Sequence, residues 1–170
     1  CSITAIRLEG PTPSVLKRCE NATDSFAGYG EIEELHGSRS AIFWKEIADL
    51  SLFTDDPIST IWRVVVPPNK ASLFTDSLPK KFQLSWYLDW AGGLIWVETK
   101  EKPDHLHSAI RAIGAALGGQ TTVFRGNSTF RASVEVFEPL PKAIFQLNYR
   151  VKQAFDPNTI FNPSRVYAGI

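Results

Sequence analysis

The sequence of 170 residues contains no methionine, two cysteines and three histidines. Cys1 and Cys19 are too few for a disulfide framework and have no metal-ligand spacing, so both are expected as reduced thiols of a cytosolic protein. Neither charge sign is in excess: 18 Lys and Arg balance 18 Asp and Glu, giving a net charge of zero. Without a basic balance or stripe, nucleic acid is excluded as a partner. No apolar run reaches the length of about eighteen residues that a membrane span needs. No basic-then-apolar leader opens the chain, so no signal peptide is expected. A P-loop G-x-x-x-x-G-K-[ST] is absent, and Ser14, Ser38 and Ser128 lack a nucleophile-elbow context. Position 1 is not methionine, and the chain opens directly on an apparent strand. We therefore expect a piece of a longer polypeptide, cut at a domain boundary.

What is present reads as one globular domain over residues 1–170, with 44% apolar and 21% charged residues. Residues 2–9 (SITAIRLE) read as a strand closed by Gly10-Pro11. Pro13-Ser14 open a helix, proline being suited to a first turn. Val15, Cys19, Ala22 and Phe26 form its apolar stripe. Residues 31–36 (EIEELH) suggest a short strand. Ser38 caps a second helix with Ile42, Phe43, Ile47 and Leu50 inward, and Asp55, Asp56 and Pro57 form a loop. Strands are predicted at 60–66, 82–88, 94–98 and 120–125, with Ala91-Gly92-Gly93 as a turn. A helix starting at Pro103-Asp104 carries Leu106, Ile110, Ile113 and Leu117 and ends at Gly118-Gly119. A last helix runs from about Pro139 to Phe155, with Leu140, Ile144, Leu147 and Val151 inward. This order suits an α+β fold: a ferredoxin-like plait with an antiparallel sheet and helices mainly on one face.

Two strands depart from simple alternation. Ile61, Trp62, Val64, Val65 and Val66 put apolar groups on both faces, as do Leu94, Ile95, Trp96 and Val97. A sheet with one solvated face should alternate apolar and polar. The second face therefore needs a cover, since each large apolar side chain left exposed forgoes about 1.5–3 kcal/mol. That cover is either a segment of this chain or another domain or subunit.

Chemistry-bearing clusters are sparse. His105 and His107 stand two apart near a helix start and cannot chelate jointly on a helix; the ordinary reading is a solvated helix N-terminus. No metal site is expected. Gly28-x-Gly30 and Gly114 with Gly118-Gly119 are not phosphate loops. Glu33-Glu34 and Asp55-Asp56 are adjacent pairs, which diverge in a strand or solvate a loop. Five tryptophans, eleven phenylalanines and four tyrosines are present, and core packing accounts for most. Trp44 and Arg125 are the candidates for lining a pocket. Arg125 suits a carboxylate, which a guanidinium holds through two parallel hydrogen bonds; the ordinary alternative is a solvated strand-end arginine.

The closing stretch Phe155-Asp156-Pro157-Asn158-Thr159-Ile160-Phe161-Asn162-Pro163-Ser164-Arg165 is a proline-pinned hook. It is either a helix stop with a surface tail or an element that reaches outside the chain. It resembles the closing motif F/L-D-P-x-G-I-x-N-P-G-K/R of the FAD-linked oxidases of the vanillyl-alcohol oxidase/p-cresol methylhydroxylase group. Interior stretches resemble the E subunits of bacterial glycolate oxidases: Leu8-Glu9-Gly10-Pro11 with Pro13-Ser14-Val15, Trp62-Arg63-Val64 with Val66-Pro67-Pro68, Leu88-Asp89-Trp90-Ala91-Gly92-Gly93, and Val123-Phe124-Arg125. Thr159 and Ser164 stand where that motif has glycine. A β-branched residue tolerates φ > 0 poorly, so the turn is expected to shift onto Asn158.

The resemblance implies a cap domain that covers FAD held mainly by an N-terminal domain not included in this chain. It implies a subunit that takes part in oxidising glycolate, a small hydroxy acid, to glyoxylate. The implied partners are that FAD domain and other subunits, flavin-containing and iron-sulfur, in the cytoplasm with peripheral attachment to the inner membrane through them. Asn162 and Arg165 would face the flavin. The histidine-rich metal stretch of catalytic relatives has no match here, so no catalytic residue is assigned and the chain alone is expected to be inactive. The resemblance leaves a second role open, a non-catalytic assembly module that no longer contacts flavin.

Overall fold

The structure is a computed structural model that describes residues 2–53 and 59–170. Cys1 and the expected loop at Asp55, Asp56 and Pro57 lie outside the described residues. The chain divides into two compact units, Cys1–Leu50 and Ser51–Ile170.

The first unit holds α1 (Thr12–Phe26) and α2 (Gly37–Ala48). Pro13 sits in the first turn of α1, where its missing N–H has no helical partner. The predicted strands at 2–9 and 31–36 do not form. Both segments lack a ladder partner among the described residues, and strand propensity without a partner gives no strand. No described residue of this unit is buried, and Ile42, expected inward, is largely exposed.

The second unit contains the sheet. Its elements are β1 (Thr60–Val65), α3 (Ala71–Ser77), β2 (Leu84–Asp89), β3 (Leu94–Thr99), α4 (Asp104–Ala116), β4 (Gln120–Arg125), α5 (Ser128–Ser133) and α6 (Lys142–Phe155). The four strands lie in the order β2-β3-β1-β4, every neighbouring pair antiparallel. With α3 and α4 as the two crossovers, this is the ferredoxin-like plait expected from the sequence.

Side chains alternate faces along a strand, and the register defines both faces. Trp62 and Val64 of β1, Ile95 and Val97 of β3 and Val123 of β4 point to one side. There they form a single core with Ala71 and Phe74 of α3, Leu106 and Ile110 of α4 and Phe130 of α5. The helix that ends at Ala116 closes through Gly118, whose φ of 76° favours glycine. Gly119 follows in close contact with β1: a Cβ there would lie 2.5 Å from the Val65 carbonyl oxygen. The outer edge of β4 is covered by residues 134–138, since Val123 N–H donates to the Val136 carbonyl at 2.8 Å. Arg111 fastens that strip through the carbonyls of Glu135 and Phe137, at 2.9 and 3.1 Å. A covered edge cannot template further strands.

α6 departs from the sequence reading. Ile144, Leu147 and Val151, expected inward, are exposed, and Phe155 is 85% exposed. The helix-side core is already filled by α3, α4 and α5, and α6 has no buried residue. Among the described residues, no helix is long and apolar enough to cross a membrane.

Candidate functional site

The terminal hook is ordered by one buried carboxylate. Asp156 closes α6 and accepts the backbone N–H groups of Ile160 and Phe161, each at 2.9 Å. Lys152, one helical turn earlier, pairs with it at 2.7 Å and donates to the Phe161 carbonyl at 2.5 Å. These bonds hold the Asp156 carboxyl at a pKa of about 2, the Lys152 hydrogen bond being the largest cause. The chain then turns through left-handed residues: Thr159 at φ 52°, Asn162 at 46° and Ser164 at 54°. The expected shift onto Asn158 does not occur. Threonine itself takes the glycine-like geometry, because the bonds from Asp156 to the two following amides fix the turn around it. Beyond it, Ser164 N–H donates to the Ile170 carbonyl at 2.8 Å, and the Tyr167 ring lies 6.2 Å from that of Phe137. The hook is therefore a built element rather than a loose tail. It presents Ile160 and Phe161, each 68% exposed.

The sheet face opposite the core is aromatic. One cross-strand row, Tyr87–Trp96–Arg63–Thr122, runs across all four strands. Phe124 packs edge-on against Trp96 at 5.0 Å, and Phe53 lies 5.3 Å from Tyr87. Between Ile61 and Trp62 the β1–β4 register slips beside Phe124, an irregularity of the kind that re-aims a side chain. The ends of this face are buried at Ile61, Leu94 and Glu98, while Phe124 remains 52% exposed. The two-faced strands of the sequence thus have a partly open second face. Burial, and secondarily Asp89, push the Tyr87 phenol up to about 12, so it stays protonated.

The hairpin between β2 and β3 frames one margin of this face. Trp90 and Ala91 both adopt left-handed φ, 52° and 53°. The Asp89 carboxylate accepts the Trp90 N–H at 2.7 Å and steadies the turn. Trp90 is 60% exposed, with the Arg63 guanidinium 5.2 Å from its ring centroid. Of the five tryptophans, only Trp62 is buried, so core packing does not account for most of them.

The residues singled out in the sequence are dispersed. Asn162 and Arg165 share one turn, Arg165 N–H donating to the Asn162 carbonyl at 3.2 Å, with both residues exposed. Arg125 is half-buried and donates to the Ser59 hydroxyl at 3.1 Å, so it is not a freely solvated strand end. Trp44 belongs to the first unit, edge-on to Phe43 at 5.3 Å with Arg7 over its ring at 5.9 Å. His107 is buried, which corrects the solvated reading, and its Nδ1 accepts the indole N–H of Trp62 at 3.1 Å. Burial and then Arg111 lower its pKa, against an opposing pull from Glu138. Two grooves, of about 230 Å³ beside Ser85 and Glu98 and about 350 Å³ beside Phe145 and Tyr149, include none of the residues singled out for function. Sequence reasoning missed Arg63 and Trp90 as a pair, although both stand in the stretches that carry the resemblance.

Comparison with known proteins bears on this architecture. Glycolate oxidase subunit GlcE of Escherichia coli (strain K12) is 30% identical over 164 residues, which cover 96% of this chain. The chain resembles that subunit along almost its whole length. It spans 38% of GlcE's own length. No protein-family model matches the chain. No solved structure matches it either.

Proposed function

We propose that this chain is the cap of an FAD-linked glycolate oxidase subunit, working in a multi-subunit complex that oxidises glycolate to glyoxylate. The observation that carries the reading is the hook. Thr159 and Ser164 replace the glycines of the resembling motif yet keep left-handed φ, so the glycine-like backbone path survives. The open sheet face supports it: exposed Phe124 and Trp90 with half-buried Trp96 offer flat π surface to a planar ring system. Among the described residues nothing resembles a phosphate-binding loop, so the nucleotide portion of FAD would be held by the N-terminal domain of the same subunit. When bound, a flavin would take up the hydride that leaves glycolate.

In this reading Asn162 and Arg165 face the flavin-bearing domain, and Arg125 lines the pocket for the small hydroxy acid. No catalytic residue is assigned to this chain. Iron-sulfur and flavin-containing subunits complete the complex, in the cytoplasm or at the inner membrane through those partners. A second reading, a pure assembly module, is favoured by one observation: α6 turns Ile144, Leu147, Val151 and Phe155 to solvent, a stripe suited to another protein surface. Deleting residues 156–170 from the intact subunit separates the two. Loss of flavin absorbance with the complex still assembled supports the cap reading; loss of assembly with flavin retained supports the module and overturns the cap.

A further inference from the structure

Arg63 occupies the middle of β1, with β3 on one side and β4 on the other. Its row partners are Trp96 and Thr122, so its side chain stands on the open face, inside the aromatic field. The residue is half-buried, and its guanidinium carbon lies over the Trp90 ring, 5.2 Å from the centroid. A contact with a ring face uses none of the guanidinium N–H groups as donors to oxygen, so they stay available.

The other half-buried arginines of this unit commit their N–H groups to protein oxygens. Arg111 donates to Glu135 and Phe137, Arg131 to Val123 and Phe124, and Arg125 to Ser59. Arg63 has no hydrogen bond or ion pair among the described residues; its partner is the Trp90 ring. Asp89, at the end of β2, is already engaged with the Trp90 N–H. A cation with five donors, partly withdrawn from water, fits an anionic oxygen pair arriving from outside the chain. Trp90 is held there on left-handed backbone, a strained geometry that clusters at functional sites.

We infer that Arg63, steadied on Trp90, is the receptor for the carboxylate of a small hydroxy acid on the open sheet face. This rests on the reading of that face as lining a flavin-linked oxidase site. It adds to that reading the residue that takes the acid's charge. Arg63 is a binding residue, and the hydroxyl carbon would extend away from it, over the aromatic row.

The test is calorimetric titration of the intact protein as purified, with glycolate, neutral glycolamide and inorganic phosphate. Wild type, Arg63→Gln and Arg63→Lys are compared. Glycolate should bind the wild type saturably, and Arg63→Gln should bind it at least about tenfold more weakly, as loss of a charged hydrogen bond requires. Arg63→Lys should fall between them, keeping charge but losing the planar fork. Glycolamide affinity should be the same in all three proteins. Melting temperature and flavin content should not change, since Arg63 holds no protein oxygen. Unaltered glycolate affinity in Arg63→Gln, or phosphate bound as tightly as glycolate, would overturn the assignment. So would loss of flavin in Arg63→Gln, which would make the residue a flavin contact instead. The flavin absorbance of the wild type reports separately on the oxidase reading.

Discussion

Thr159 and Ser164 hold backbone that glycine would hold with less strain. A left-handed L-residue costs about 1–2 kcal/mol, while glycine gives back roughly 0.5–1 kcal/mol in unfolded-chain entropy. Thr159→Gly and Ser164→Gly should therefore each stabilise the hook by a few tenths to about 1 kcal/mol. Slower amide exchange at Ile160 and Phe161 would report the first. His107 acts on the core instead. Its folded pKa lies below the unfolded value, so unfolding takes up a proton once the pH drops. Its contribution is complete above about pH 6.5 and declines as the pH falls below that value. His107→Gln, which keeps an acceptor for the Trp62 indole, should flatten that part of a urea-midpoint-against-pH curve. A slope equal to the wild type's would contradict the assignment.

At the level of elements, the sequence revealed those with a strong period. All four sheet strands and the four longest helices stand close to where apolar spacing and turn residues put them. The short helices α3 and α5, of seven and six residues, were missed because so short a stretch carries no helical period. Residues 2–9 and 31–36 carried strand propensity but found no partner to pair with. The apolar stripe of α6 was visible in the sequence, but which way it faced was decided by a core that was already full. The hook was legible from its prolines and asparagines. The Arg63–Trp90 stack was not, because it joins residues on separate elements through tertiary packing. Close contact between the α4–β4 connection and the end of β1 provides a further test. In Gly119→Ala the new Cβ would lie 2.5 Å from the Val65 carbonyl oxygen and 2.6 Å from Val66 Cγ1. Overpacking of this kind costs about 1–3 kcal/mol, measurable as a fall in the denaturation midpoint of the second unit.

The second unit combines a filled core on one side of a plait with an aromatic, partly open surface on the other. A rigid hook and an outward-facing helix add to the apolar surface left in water. Such exposure is unfavourable for a solitary domain and suited to one that meets a neighbour. We propose that this neighbour is a flavin-bearing domain whose flavin lies against the open sheet face. Hydroxyl-radical footprinting of the intact subunit, flavin-loaded against flavin-stripped, tests it most directly. Loading is expected to protect Trp90, Trp96 and Phe124, while Trp86, on the opposite face, labels equally in both states. Equal labelling of Trp90, Trp96 and Phe124 with and without flavin would contradict it.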